Sequence, residues 1–567
     1  RILKIKEWDS KYFVFATVGH FRDLPSKTTA IDFKHNFRPE YEIMEKKQKM
    51  VDKLKELAEE HDEVILATDP DREGESISYH VAYVLGYVNE DWPEINVKKK
   101  NMKRIIFHEI TPKALEEALE NPETLRIDLV KAQQARRILD RIVGYQISPL
   151  LWKKTGKNWL SAGRVQTVAL RLVVEREKEI EAFNQQPYYQ IFANFKSSSD
   201  IRSQLISKNG EKYEVKEKLK LFDGEYEYTK TTIDKDHSES IKKELEGDTF
   251  KIESVTEEVI KRYPPPPFTT SLLQQDAFQK LAFPSKLTMR IAQSLYEKGL
   301  ITYHRTDSFN LSAKYVFSAK DYIVKKFGEE YALEKPRGYK TKSKNAQEAH
   351  EAIRPTEVSR TPASVEPFLE RQQFRLYDLI WRRAVATQMA AAELNATSIS
   401  IASNNNYTFR ANGQTIVFDG FIKLYPDRAK ENLLPKIIVN EPLVCNELKP
   451  EQHFTEPPAR YSDATLVKAM ENYGIGRPST YAPTISTIED RGYIQRNEQK
   501  RFAPKDIAYL VNDLLVEHFH HVVDYYSTIW WIRQTTKRPR WKTARAGVGA
   551  PTKSCDVDRA PCPLHLL

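Results

Sequence analysis

The pattern of apolar and polar positions divides the chain into stretches of different period. Alternation over Tyr12–Val18 predicts a strand, and the apolar run Val64–Ala67 predicts a buried one, because successive side chains of an extended segment face opposite ways. A polar, irregular excursion over 26–44 and a charged helix from Lys46 to His61 lie between them. After Gly74 the pattern is helical through Leu85. Arg104–Ile110 is strand-like, and Thr111-Pro112 marks a helix start with proline at the first helical position. Helical periodicity returns over Ile127–Val143 and Thr167–Glu181. From Pro187 to Ile260 strands alternate with polar turns, and this character reappears over 395–450, so one β module is expected from two separated segments. Tyr263-Pro-Pro-Pro-Pro-Phe268 is a stiff spacer between them. An amphipathic helix, Ser285–Lys298, then runs into the short apolar strand Gly299-Leu-Ile-Thr-Tyr-His-Arg305. Residues 346–356 read as a helix placing His350 and Arg354 on one face, 363–391 as helical, and 426–458 as solvated connections. Helices followed by a β-wing at Gly492–Ile494 and Phe502–Pro504 close the ordered pattern.

Composition narrows the class. At 567 residues, with 40% hydrophobic and 29% charged content, the chain has the size and balance of a multidomain globular protein. No apolar run approaches the ~18 residues a membrane span needs. Cys445, Cys555 and Cys562 are too few for a disulfide framework or a four-cysteine zinc site, which points to a reducing cytoplasm. A net charge of +9 is compatible with a polyanionic partner without requiring one. Arg1-Ile-Leu-Lys-Ile-Lys6 carries neither an initiator Met nor a signal-peptide core, the pattern of a fragment. After Tyr526 the periodicity is lost, and 527–567 is expected to be an aberrant, disordered tail.

Three clusters carry candidate chemistry. Asp69, Asp71 and Glu73 follow the buried strand, at the strand end where open α/β sheets place ligands; clustered carboxylates suit Mg²⁺, against the plainer reading of an acidic helix cap. Leu160-Ser-Ala-Gly-Arg-Val-Gln166 runs straight into a helix, and its small residues and free N–H groups favour phosphate over a simple Ser cap. Tyr303 and Arg305, two apart on a strand, share a face: a phenol beside a guanidinium suits attack on a phosphodiester. Taken alone, a Tyr at a strand end is an ordinary packing residue. Further basic and polar groups are either solvated surface or ligand contacts: His20 and Arg22 after the first strand, Arg136, Arg137 and Asp140 on one helical turn, and Arg477, Ser479 and Thr480 in a glycine-shaped loop.

Asp69-x-Asp71-x-x-Gly74-Glu75 resembles the DxDxxGE half of a Toprim fold, and Ser161-Ala-Gly-Arg-Val-Gln-Thr-Val-Ala-Leu-Arg171 resembles the corresponding stretch of type IA topoisomerases. The ordered set, from His20 to about Tyr525, resembles the bacterial type IA DNA topoisomerases of the topoisomerase I kind. That resemblance implies a multidomain toroid of α/β, α and β modules. Its parts would be a Toprim domain (1–25 and 42–122), a winged-helix-like strand-binding domain (123–183 and 457–526), a β-rich arch (184–262 and 391–456) and a Tyr-bearing domain (263–390). It implies ATP-independent relaxation of negatively supercoiled DNA by a monomer, with Tyr303 as nucleophile, Arg305 and His350 at the scissile phosphate, and Mg²⁺ held by Asp69, Asp71 and Glu73. Contacts to single-stranded DNA are expected from His20, Arg136, Arg137, Asp140, Tyr145, Trp152, Ser161, Ala162, Gly163, Arg164, Val165, Gln166, Arg305, Arg477, Ser479, Thr480 and Arg491. The family's remaining catalytic Glu, on an earlier strand, has no counterpart here, so an inactive DNA-binding fragment is one alternative; a topoisomerase III-like decatenase is the other.

Overall fold

The computed structural model describes residues 12–98, 101–196, 200–339, 351–426, 431–435 and 438–523. Two parallel strands, Val64–Leu66 and Met102–Arg104, lie side by side with Val64 opposite Met102 and Leu66 opposite Arg104. The helices Gln48–Glu60 and Arg72–Val84 pack with them over Phe21, Val51, Leu66, Tyr79 and Ala82. Thr111 caps the helix Pro112–Glu120, its hydroxyl accepting from Ala114 N–H, as the Thr-Pro pair predicts.

Several expectations are corrected. The strand expected at Tyr12–Val18 does not form: among the described residues no strand pairs with it, and a strand needs a neighbour for its N–H and C=O groups. Phe13 and Val18 are 61% and 80% exposed, and Lys47 Nζ donates to the carbonyls of Thr17 and Val18. Of Arg104–Ile110 only Arg104 remains in a strand, because the chain leaves the ladder after Ile105 to dock on the Tyr303 segment, where Tyr303 N–H donates to His108 O. The helix expected to end near Val143 continues through Pro149 to Thr155, held by buried Ile147 and Leu151 and ended by Gly156 at φ 70°.

The β-rich residues form a seven-stranded antiparallel sheet and a separate hairpin of Glu214–Leu221 with Gly224–Thr231. The strands of the sheet run in the order Glu211–Lys212, Asp200–Lys208, Tyr407–Phe418, Ala392–Ser403, Phe250–Arg262, Pro442–Phe454 and Pro187–Lys196. Asp200–Lys208 pairs also with Pro187–Lys196, so the longer strands close on themselves and leave few free edges. Pro442–Phe454 therefore carries the strand character expected through 450 on to Phe454, against the overlapping reading of 426–458 as connections. Backbone pairing on both sides holds this strand, and of its side chains only Leu443 is fully buried. Phe195, Phe250 and Phe409 meet inside the sheet with ring centroids 4.9 to 6.1 Å apart.

The helices Thr270–Leu281, Ser285–Glu297, Ala313–Phe327 and Arg371–Ala386 share a core with Phe268, Leu295, Ile301 and Trp381. Arg354 is not helical: Ile353 bridges Phe268 and Pro355 bridges Ile301, since a residue preceding proline is driven to extended backbone. His350 and the tail 527–567 lie outside the described residues. A further core joins Ile127–Thr155 and Gln166–Glu181 to Asp463–Asn472, Tyr481–Asp490 and Asp506–His518, with the short hairpin of Ile494–Arg496 and Phe502–Pro504 beside them. Among the described residues no helix is long and apolar enough to cross a membrane.

Leu295 is fully buried in the core beneath the Tyr303 segment. Leu295→Ala is expected to cost that module about 2–5 kcal/mol, read as lost amide-exchange protection in Ser285–Glu297 and Arg371–Ala386 with the β sheet unaffected.

Candidate active site

The carboxylate turn is built by local rules and one buried pair. Asp71 caps the helix Arg72–Val84, accepting from Gly74 N–H at 2.8 Å. Thr68 Oγ1 donates to Gly74 O at 2.6 Å, and a Cβ on Gly74 would lie 2.2 Å from Asp69 O, so only glycine lets the turn close. Beneath it Arg104, 1% exposed, donates to Thr68 O and Asp69 O at 2.9 Å each and to Glu75 Oε2 at 3.0 Å. Glu75 in turn accepts from Arg126 N–H at 2.7 Å. Glu75 thus anchors the turn, while Asp69 and Asp71 face outward from it. Burial first, and the neighbouring Asp71 charge second, push the Asp69 carboxyl up to about 6. Glu73 lines the same cleft as Asp71. Its Oε2 lies 3.0 Å from His20 Nε2 and accepts from Gln133 Nε2 at 3.3 Å. Among the described residues no three His, Cys, Asp or Glu side chains converge as a metal site.

Tyr303 arrives from the other side of the cleft. The phenol, 3% exposed, donates to Asp71 Oδ2 at 2.7 Å, and Arg305 Nη1 lies 3.6 Å from the same oxygen. The shared face of residues two apart therefore points at one carboxylate. Burial and the charges of Asp71 and Asp69 push the phenol well above its ordinary range, with Arg305 opposing. His304 takes the opposite side, buried, its imidazole pulled down to about 3 by burial and then by Arg305, so it is neutral.

Between these groups lies an open cleft of about 680 Å³ lined by Asp71, Arg72, Glu73, Gln133, Arg136, Arg305, Thr306, Asp307, Arg477, Pro478 and Ser479. Burial, then the Arg477 and Arg136 guanidiniums, pull Arg72 below the usual arginine range; burial, with Arg136 and Arg164, does the same to Arg477. Guanidiniums that depress one another in a cleft form a site for an anion. Arg72, Gln133 and Asp307 were not singled out from sequence. Arg72 sits between two acids and reads as locally neutralised, and only the fold turns it to the cleft.

The other expected contacts divide. Arg136 lines the cleft, and Asp140 lies 3.5 Å from it and accepts from Arg164 Nε at 3.2 Å. Arg137 is forked onto Asp23 at 3.0 and 2.6 Å, away from the cleft lining. Tyr145 accepts from Arg141 at 2.6 Å, and Trp152 Nε1 donates to Leu160 O at 2.6 Å. The free N–H groups expected over Ser161–Gln166 are partly used inside the protein. Ser161 N–H donates to Tyr493 Oη at 2.9 Å, Ala162 N–H to Ser148 Oγ at 3.1 Å, and Gln166 Nε2 returns to Ser161 O at 2.9 Å. Gly163 O accepts from Thr167 N–H at 2.8 Å, and Val165 precedes the helix Gln166–Glu181. Arg477 N–H donates to Thr480 Oγ1 at 2.8 Å, Ser479 lines the cleft, and Arg491 donates to Trp159 O at 2.6 Å.

A carboxylate turn at a parallel strand end, a buried Tyr–Arg pair and a cationic cleft beside them are groups of the class that suits phosphodiester chemistry. Comparison with known proteins makes the class specific: the chain belongs to the type IA DNA topoisomerase family, the DNA topoisomerase family model matching residues 124–536 and the Toprim domain model residues 2–110. DNA topoisomerase 1 of Xylella fastidiosa (strain 9a5c) is 43% identical over 534 residues, 91% of this chain and 63% of that protein. DNA topoisomerase 1 of Rickettsia felis is 44% identical over 533 residues, 91% of this chain and 66% of that protein. The chain thus spans just under two thirds of the length of these relatives. The full-length topoisomerase I from Thermotoga maritima, in a monoclinic crystal form, superposes with a TM-score of 0.77 at 36% identity, covering 92% of this chain and 82% of that one.

Asp69 yields a pH prediction. An acid whose folded-state value is raised from 3.8 to about 6 stabilises the fold while protonated, and that contribution is lost as pH rises through about 6. At pH 8 in a chelator, ionised Asp69 costs roughly 3 kcal/mol. Asp69→Asn is expected to melt higher than the unsubstituted protein there, the gap closing below pH 5, by calorimetry at both pH values.

Proposed function

We propose that this chain cleaves and reseals one DNA strand through Tyr303 and thereby relaxes negatively supercoiled DNA without ATP. The observation that carries this reading is the Tyr303 hydroxyl donating to Asp71 Oδ2 at 2.7 Å with Arg305 beside it. A phosphodiester seated in the cleft meets Arg72, Arg136, Arg305 and Arg477, whose guanidiniums bind and orient its non-bridging oxygens. The phenol oxygen attacks phosphorus, its proton passes to Asp71, and the P–O3′ bond breaks to leave a 5′-phosphotyrosine and a 3′-hydroxyl that takes up a proton. Arg305 stabilises the phenolate character of the attacking oxygen and the charge on the phosphate. Neutral His304 stays on the far side and takes no proton.

Asp69 and Asp71 fit a hard divalent cation such as Mg²⁺, being buried oxygen donors whose mutual repulsion already raises Asp69. When bound, that ion supplies charge neutralisation beside the phosphate oxygens. Exchanging a phosphodiester for a phosphotyrosine conserves the bond, so resealing runs the step backwards and needs no nucleotide. No Gly-x-x-x-x-Gly-Lys-Ser/Thr loop occurs in the chain, in keeping with that. The partner is single-stranded DNA exposed by negative supercoiling, and the protein acts as a monomer in the cytoplasm.

A 3′-labelled single-stranded oligonucleotide, whose label stays on the fragment joined to Tyr303, tests this: a denaturation-resistant adduct is expected with Mg²⁺ and not with chelator. Tyr303→Phe is expected to abolish the adduct and plasmid relaxation while binding the oligonucleotide within about threefold, since it keeps the cationic cleft. Adduct formation by Tyr303→Phe would refute the assignment. Arg305→Ala is expected to slow cleavage on the order of 10²-fold.

A further inference from the structure

The segment carrying Tyr303 is held from both sides. Within its own module Thr302 N–H donates to Arg354 O at 2.9 Å and Thr356 N–H to Leu300 O at 3.1 Å. Across the module boundary Tyr303 N–H donates to His108 O at 2.7 Å. Gly299, at φ +68°, comes so near Ile110 that a Cβ would lie 2.3 Å from its carbonyl oxygen. His108 to Ile110 extend from Met102–Arg104, the strand beside the carboxylate strand. This boundary must part if a strand is to pass between Tyr303 and Asp71.

Among the described residues two ion pairs cross it. Arg305 to Asp71, at 3.6 Å, sits among the reacting atoms and is exchanged for phosphate when DNA enters. Arg354 Nη1 to Glu109 Oε2, at 3.1 Å, lies behind the Tyr303 backbone, its side chains 7% and 16% exposed, and touches none of the reacting atoms. We infer that Arg354–Glu109 is the latch of this gate: the ion pair holds the Tyr303 segment against the carboxylate module during cleavage, and its release lets the two part. The inference rests on the reading of Tyr303 as nucleophile and makes Arg354 and Glu109 positioning residues.

The physical chemistry suits a latch rather than a lock. Closing desolvates both charges and opening rehydrates both, so their net contribution is small and reversible. Each half is prepared in its own module. Arg354 also bonds Glu351, Pro355 O and Ser312 Oγ and lies over the Tyr315 ring, 4.9 Å from its centroid; Glu109 Oε1 accepts from Thr111 Oγ1 at 3.1 Å. Arg354 Nε and Glu109 Oε2 make no hydrogen bond, so the contact is not saturated. The two ends are unequal. Without Glu109, Arg354 keeps Glu351; without Arg354, Glu109 is left as a buried unpaired carboxylate and the Tyr303 segment loses support. Glu109→Gln is therefore the clean probe.

Dyes on Lys55→Cys and Ser318→Cys, both exposed and on opposite sides of the boundary, in a chain with its native cysteines changed to serine, read opening by fluorescence transfer without DNA. Glu109→Gln is expected to raise the open-to-closed ratio roughly tenfold and to weaken its dependence on ionic strength, the Arg305–Asp71 pair keeping the rest, while Glu109→Asp stays within about threefold of the unsubstituted ratio. Unchanged transfer and unchanged salt response in a folded Glu109→Gln protein would overturn the latch. The oligonucleotide adduct is measured on the same samples. Its absence in the unsubstituted chain would sink the role of Tyr303, whereas its presence with an unaltered gate sinks only the role of Glu109.

Discussion

A phenol buried against a carboxylate is the constraint around which this molecule is arranged. Tyr303 and Asp71 are 232 residues apart in sequence, and their 2.7 Å contact joins two modules that have separate hydrophobic cores. Neither group is comfortable there: burial and the two acids hold the phenol protonated, and the same crowding raises Asp69. Everything near the contact serves to hold these groups in place. Arg104 and Glu75 fix the turn from below, and the Thr302–Arg354 pairing holds the tyrosine segment from behind.

Charge is distributed so that the site is unfinished without a ligand. The Asp71 carboxylate adds to burial in raising Asp69, and the Arg477 and Arg136 guanidiniums add to burial in lowering Arg72, while Arg305 is raised by its acidic neighbours. In the proposed reaction a phosphodiester would answer the crowded guanidiniums and a divalent cation the paired carboxylates. The interior pairs differ in kind. Arg104–Glu75, both about 1% exposed, has no ligand to wait for and is satisfied by protein carbonyls.

Much of the local structure was legible before the fold was known. Thr111-Pro112 starts its helix, Asp71 caps one, and Tyr303 and Arg305 share a face, because capping and strand alternation act over a few residues. Where legibility failed, partners distant in sequence decided. Pro442–Phe454 runs past the expected limit of 450 because backbone pairs hold it through Phe454. Arg354 is extended because Pro355 and a bridge to Ile301 outweigh helical spacing. The Ser161–Gln166 turn spends part of its N–H capacity on Tyr493 and Ser148, residues that no reading of the turn itself would supply.

The sequence by itself determined the class of chemistry: a carboxylate turn, a small-residue turn before a helix and a Tyr-x-Arg strand, in an order that points to one family, since each motif is a short-range device whose residue types dictate what it can bind. Tertiary structure decided which residues meet. It brought Tyr303 onto Asp71, set Glu73 beside His20 and Gln133, aimed Arg72 into the cleft, and placed Glu109 against Arg354. The reason is that a side chain's role follows from its partner and its solvent exposure, and both are properties of the packed chain rather than of any window along it.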